Sequence, residues 1–237
     1  MKQKINTSDI LFLDIETVPQ YKNYKAAPQE TQLLFAEKTA YQRQESETPE
    51  TFYERAGIWA EFGKIICISV GYIHKSTEGN SFRTRSFHGN ETTLLVAFKI
   101  LLTSHFNKPQ HVLCGHNSKE FDFPYIARRM IINGIELPQQ LNIYGKKPWE
   151  IPHLDTMELW KFGDYKHYTS LKLLAYILGI PSPKEDIDGS MVHKVYYENN
   201  DIERIVTYCE RDVLTTAQVY LKLKQEETLD NTAIVRV

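Results

Sequence analysis

Four carboxylates and one tyrosine, held in three short motifs, are the residues of this chain best suited to chemistry. Asp14 and Glu16 stand in Leu-Phe-Leu-Asp-Ile-Glu-Thr, Asp122 in Gly-His-Asn-Ser-Lys-Glu-Phe-Asp, and Tyr208 with Asp212 in Tyr-Cys-Glu-Arg-Asp. Each motif sets acid on an element that reads as part of a buried core, where negative charge is costly unless a cation neutralises it. Magnesium or manganese accounts for that placement, because hard divalent cations take their ligands from carboxylate and water oxygens.

The elements that must position these groups can be read from the pattern around them. Ile10-Leu11-Phe12-Leu13 is a continuous apolar run of the kind found in a central strand, and Asp14-Ile15-Glu16 continues it. Side chains alternate across a strand, so Asp14 and Glu16 project to one side and Ile15 to the other. At that spacing the two acids repel, and one holds a proton unless divalent ions sit between them. Two solvated acids at a strand end would also fit this motif taken alone.

His111 to Gly115 reads as a second buried strand, followed by a helix over 117–133 with Asn117 and Glu120 as a capping box. Asp122 then falls in the first helical turn, beside the carboxyl end of the strand, where open α/β sheets form ligand crevices. An acid favoured by the helix dipole fits equally well. The third motif lies on a helix from Asp201 to Lys224, with Asn200 and Glu203 as its capping pair and Ile202, Ile205, Cys209, Val213 and Tyr220 on the apolar stripe. Four residues apart, Tyr208 and Asp212 share one helix face. A tyrosine that anchors the helix and an aspartate paired with Arg204 or Arg211 is the alternative.

The ordered combination of the three motifs resembles the DnaQ-like, or DEDD, 3′-to-5′ exonucleases. Tyrosine in the last motif, with Thr207 where the histidine subtype carries its histidine, is similar to the subtype found in family B DNA polymerase proofreading domains and RNase D. Phe62 to Val70, Gly115-His116-Asn117, His153-Leu154-Asp155-Thr156, Ser170 to Leu174 and Leu178-Gly179-Ile180 extend the likeness over most of the chain, and a stand-alone bacterial group related to the polymerase B proofreading domain resembles it most. The resemblance implies an RNase H-like mixed β-sheet with helices on both faces and two Mg2+ or Mn2+ ions per active site. Asp14 would bridge both ions, Glu16 and Asp212 would complete the first, and Asp122 would hold the second, with Tyr208 orienting the attacking water. Thr17, Asn117, Phe121 and Asp155 are the substrate contacts it suggests, Asp155 with a role in supporting hydrogen bonds as the alternative. The implied reaction is phosphodiester hydrolysis at the 3′ end of single-stranded or frayed DNA, in a DNA repair setting. An RNase D-like exoribonuclease and a non-catalytic nucleic-acid-binding scaffold remain as alternatives, and no protein partner is indicated.

Length and composition bound the rest. At 237 residues the chain is expected to form one α/β exonuclease domain over 1–237, with a polar, partly helical insertion at 20–60 whose helices fall at Gln29–Lys38 and Pro49–Ala60. No polymerase domain is expected, because the chain ends soon after the third motif. Cys67, Cys114 and Cys209 sit in apolar surroundings without a Cys-x-x-Cys, which predicts buried thiols in a reducing compartment and no structural zinc. Without a signal peptide or a long apolar run, the expected location is the cytoplasm, with no membrane association. The formal charge of −2 argues against a broad duplex-binding face. Lys146, Lys147 and Trp149, with Lys161, Lys166, His167 and Lys172 around Tyr165 and Tyr168, are candidate contacts to a terminal strand. Strands over 64–73, 81–88 and 152–156, helices over 91–103 and 169–178, and a mobile loop over 181–195 complete the expected order.

Overall fold

The computed structural model of the chain describes residues 5–77, 79–164, 168–181, 187–229 and 234–237. In chain order the elements are β1 (Ile10–Pro19), α1 (Gln29–Thr39), α2 (Pro49–Phe52), β2 (Gly63–Ser76), β3 (Gly79–His88), α3 (Glu91–Ser104) and β4 (Val112–Gly115). They continue with α4 (Asp122–Ile132), β5 (Leu154–Asp155), α5 (Thr156–Lys161), α6 (Leu171–Ile177), α7 (Val192–Lys194), α8 (Ile202–Leu223) and β6 (Ile234–Arg236). The strands form one six-stranded sheet in the order β5-β4-β1-β2-β3-β6. β1, β4 and β5 run parallel, β2 is antiparallel to β1 and β3, and β6 pairs parallel with β3. This is the expected RNase H-like mixed sheet.

Alternation along β1 divides the core in two. Leu11, Leu13 and Ile15 enter a cluster with Leu94, Phe98 and Leu102 of α3 and Phe123, Ile126 and Met130 of α4. Ile10 and Phe12 face the other way, onto Val213, Ala217 and Tyr220 of α8. Further along the same face, Val18 joins Ile66 and Cys67 of β2 against Ile205, Val206 and Cys209 of α8. Asp14 and Glu16 occupy the stretch between these two apolar clusters. The helix α8 is long enough to cover both clusters and carries the third motif between them.

Four sequence expectations are corrected. β1 does not end at residue 16 but runs to Pro19, because β2 keeps pairing with it through Pro19 and Gly63. The helix after β4 starts at Asp122 and not at Asn117; Asn117 adopts a left-handed conformation and no side chain caps α4. Asn and Asp tolerate that conformation, and here it lets the chain turn tightly between strand and helix. Likewise Asp201, not Asn200, caps α8 through Arg204 N, while Asn200 is left-handed. The expected loop over 181–195 is helical in its later part: Gly189–Met191, α7 and a wider turn over Val195–Asn199 follow one another, with Val192 and Val195 buried. Residues 182–186 of that expected loop lie outside the described residues, as do Tyr165, Lys166 and His167.

The 20–60 insertion has its own small aromatic core, in which Phe35 packs edge-on against Tyr53, Trp59 and Phe62. Its last turn, Tyr53–Ile58, lies along β1, where Gly57 O accepts hydrogen bonds from Thr17 Oγ1 at 2.9 Å and Tyr125 Oη at 2.7 Å. Gly63 has no room for a side chain, since a Cβ there would strike the Tyr125 hydroxyl. The insertion is thereby tied to the first motif and to α4.

A buried ion pair locks the two helices of the opposite layer to β2. The Glu91 carboxylate accepts from Arg129 Nε at 2.8 Å and Nη2 at 2.5 Å, and from the Ile65 backbone N–H at 2.7 Å; Arg129 Nη1 reaches Ala60 O at 2.8 Å. Only 4% of the Arg129 side chain and 11% of that of Glu91 is exposed, so removing one partner strands the other in a poor solvent. Glu91→Ala is expected to lower stability by about 3–5 kcal/mol in urea unfolding, and Glu91→Ala with Arg129→Met to recover a large part of it. A single-variant loss below about 1 kcal/mol would show the pair to be incidental.

Candidate active site

The three motifs converge on the α8 side of the sheet. The parallel ladder between β1 and β4 stops at Phe12 and Cys114, so from Leu13 onward β1 has no strand paired to it on that edge among the described residues. Asp14 and Glu16 project into the space this opens, and the ladder to β2 shifts register between Glu16 and Thr17. Such an irregularity re-aims side chains and is common beside functional sites. From α8, Tyr208 and Asp212 face the same space, and Cys209 Sγ lies 3.4 Å from Asp14 Oδ2.

Asp122 enters from the turn between β4 and α4. Its Oδ1 accepts from the Ile15 backbone N–H at 3.1 Å, which fixes the carboxylate against the first motif. The turn depends on Gly115, where a Cβ would collide with the Ser118 side chain and press on Leu13 O. It also depends on Asp155. This buried carboxylate accepts from the backbone N–H groups of Asn117 and Lys119, both at 3.0 Å, and from Met157 at 2.9 Å and Glu158 at 3.3 Å. Asp155 therefore caps α5 and shapes the turn that delivers Asp122, its oxygens turned to backbone.

The remaining candidates are distributed as follows. Thr17 is bonded to Gly57 O, and Phe121 is half buried against Tyr125 at the start of α4. Asn117 Oδ1 is buried without a hydrogen-bond partner. Lys172 lines the same cleft as Asp14, Tyr208 and Asp212. Lys146 and Lys147 lie elsewhere, on the exposed stretch before Trp149, whose ring sits 5.4 Å from Lys147 Nζ.

The cleft has a volume of about 260 Å3 and is lined by Asp14, Tyr208 and Asp212 together with His116, Lys172 and Asp188. Glu16 and Asp122 are buried behind it, 8% and 3% exposed. His116 is held neutral by burial, with Nε2 donating to Thr169 O and Nδ1 accepting from the Thr156 hydroxyl, both at 2.8 Å. It closes one wall as a structural group. Sequence reasoning placed Cys209 in the core but not against Asp14, a contact between elements distant in the chain.

Residues 58–236 match the family described as a predicted 3′-5′ exonuclease related to the exonuclease domain of PolB. The chain belongs to this family. The matched span contains Asp122, Tyr208 and Asp212, and β1 brings Asp14 and Glu16 to them from outside it. Among solved structures, the family B DNA polymerase from the hyperthermophilic archaeon Pyrobaculum calidifontis is similar at 15% identity with a TM-score of 0.48. The likeness covers 91% of this chain and 26% of the polymerase, so the chain spans about a quarter of that protein. No curated protein sequence matches the chain.

Electrostatics single this cleft out from the rest of the molecule. Burial is the main cause that pushes the Asp14 carboxyl well above the usual range, followed by the charges of Asp122, Glu16 and Asp212. Glu16 is raised by burial and then by Asp212, and burial takes Asp122 up to about 7. Among the described residues no cationic side chain pairs with Asp14, Glu16 or Asp122. Asp14, Glu16 and Cys209 present ligand atoms within 4.8 Å of one another, so the donor set fits a cation. The oxygen-rich remainder suits a hard divalent ion, with the Cys209 thiol held protonated by burial.

In the metal-free fold Asp122 keeps its proton up to about pH 7, whereas the unfolded chain releases it near 4, so the folded state binds the extra proton between those values. Stability in chelator should fall as pH rises through that window, on the order of 1 kcal/mol per pH unit for this group. Asp122→Asn, which keeps an oxygen for Ile15 N–H, should remove that slope, as read by thermal melts from pH 4 to 8 in EDTA. Equal slopes in the two proteins would refute the burial-held proton on Asp122.

Proposed function

We propose that the chain is a divalent-metal-dependent 3′-5′ exonuclease acting on the 3′ end of single-stranded or frayed DNA. The observation that carries this reading is the convergence, at one cleft, of carboxylates from β1, α4 and α8 with a tyrosine hydroxyl. Membership of the exonuclease family supports it.

Asp14, Glu16, Asp122 and Asp212 would hold two Mg2+ or Mn2+ ions. When bound, such ions activate a water, stabilise the departing 3′ oxygen and relieve charge on the phosphate. The chain's own residues do the positioning. Water adds to phosphorus, the bond to the 3′ oxygen of the preceding nucleotide breaks, and that oxygen leaves with a proton, freeing a nucleoside 5′-monophosphate. Burial, then the Asp212, Glu16 and Asp14 charges, hold the Tyr208 phenol above its ordinary range, so it stays protonated and acts as a hydrogen-bond donor. Its place on the Asp212 turn of α8 lets it orient the water or the phosphate without serving as a base. Lys172 stands on the cleft wall, where it meets the strand's phosphates. The cleft accommodates a terminal nucleotide in preference to continuous duplex, consistent with the near-neutral overall charge.

Tyr208→Phe keeps the ring packed against Ile205 and Cys209 but removes the hydroxyl, so turnover should drop about ten- to a thousandfold with little change in KM. Wild-type turnover would reduce Tyr208 to a helix anchor. On end-labelled strands with magnesium or manganese, wild-type protein should produce a ladder from the 3′ end, and Asp14→Ala none. A circular strand or a 3′-phosphate should resist, and a flush duplex should be slower than single strand, because unpairing each terminal base costs a few kcal/mol. Rapid cutting of circles would mean an endonuclease, and faster degradation of RNA than of DNA of equal sequence would favour the exoribonuclease.

A further inference from the structure

On the face of the sheet opposite the carboxylates lies a second cavity, of about 390 Å3, between the outer part of the sheet and the end of α3. Its floor is apolar, made by Leu11, Val70 and Phe106. Its rim is cationic: Arg83 and Arg85 project from alternate positions of β3, and Lys108 faces them from the loop between α3 and β4. No acidic side chain is among the lining residues. In a chain of net charge −2 that concentration is unusual.

The three cations are also uncommitted. Among the described residues, neither guanidinium has an ion-pair or hydrogen-bond partner, and Arg85 rests over the Phe87 ring at 5.2 Å. The Lys108 ammonium has none either. Asp9 lies 3.9 Å from His111, which lines the cavity, and Val237 lines it as well. Arg83 is half buried and Arg85 and Lys108 are exposed at the rim, whereas the buried Arg129 is taken up by Glu91. Like charges held together at a concave surface focus a field that draws in an anion.

Aromatic faces complete the arrangement. Tyr72 lines the cavity beside Arg83, its cross-strand partner, and His111 stacks on Phe106 at 4.1 Å between ring centroids. The Tyr72 hydroxyl bonds to nothing among the described residues and is free to accept or donate. The volume lies in the range of small-molecule sites, roughly 300–1,000 Å3, and is too small for a strand. We propose that this cavity binds a nucleoside phosphate, the phosphates held by Arg83, Arg85 and Lys108 and the base against the Tyr72 and Phe106 walls. Arginine suits the role because its planar fork meets phosphate oxygens in pairs. The site is separated from the carboxylate cleft by the sheet itself and does not depend on the nuclease reading.

Calorimetry on the full chain in EDTA tests this, with AMP, ADP, adenosine and orthophosphate as titrants. AMP or ADP should bind saturably, with adenosine and orthophosphate each at least tenfold weaker, and Asp14→Asn should leave the affinity unchanged. Arg83→Gln with Arg85→Gln, and separately Lys108→Gln on the exposed loop, should each weaken binding at least tenfold while melting as wild type does. Lack of nucleotide binding at millimolar concentration, orthophosphate binding as tight as AMP, or binding lost in Asp14→Asn but kept in the arginine variant would each overturn the proposal. Strand degradation by the same variants reads the nuclease proposal separately: if wild-type protein degrades no strand yet binds AMP through the arginines, that reading fails and this one stands.

Discussion

Crowded negative charge is the constraint on which the rest of this structure turns. Asp14, Glu16, Asp122 and Asp212 approach one another between two apolar clusters, so each raises the cost of ionising the next. In water such repulsion is modest, but burial, which leads the causes of each raised pKa, strengthens it. A fold does not keep that arrangement by local preference. Here the surroundings over-determine it: the sheet ladder fixes Asp14 and Glu16, a backbone N–H fixes Asp122, and packing of α8 fixes Asp212.

The supports are distributed over the whole chain. Asp155 ties the strand β5 to the turn that carries Asp122, and Gly115 leaves that turn the room it needs. The insertion braces the far end of β1 through Gly57, and the Glu91–Arg129 pair holds α3 and α4 against β2 on the opposite face. Loss of any of these would displace a carboxylate without touching it. The wider consequence is that the fold spends stability at the cleft and recovers it in the surrounding core, the usual relation between a functional site and its scaffold.

Much of this was legible in the sequence, for identifiable reasons. The alternation in Leu-Asp-Ile-Glu gave the shared face of Asp14 and Glu16, and four-residue spacing gave that of Tyr208 and Asp212, because both depend only on local periodicity. The mixed sheet with helices on both faces followed from strands preceding alternating units, whereas the strand order and the edge strand β6 did not. What failed was local capping: Asn117 and Asn200 satisfy the cap pattern with Glu120 and Glu203, yet both residues take left-handed turns, Asn117 held by Asp155 and Asn200 closing back onto Val195 O. The extension of β1 past Glu16, the helical packing of 189–199 and the contact of Cys209 with Asp14 were also unreadable, since each arises between elements distant in the chain. The cavity beneath Arg83 and Arg85 belongs to the same class, assembled from β1, β2, β3 and the loop after α3.

The central claim is that the four acids are assembled to hold divalent cations. Titration of Mn2+ into the metal-free protein, followed by calorimetry and by the loss of the free-ion electron paramagnetic resonance signal, addresses it directly. Two ions should bind per wild-type chain, and no more than one to Asp14→Asn. Absence of saturable binding up to millimolar Mn2+, or equal stoichiometry in the two proteins, would contradict the account.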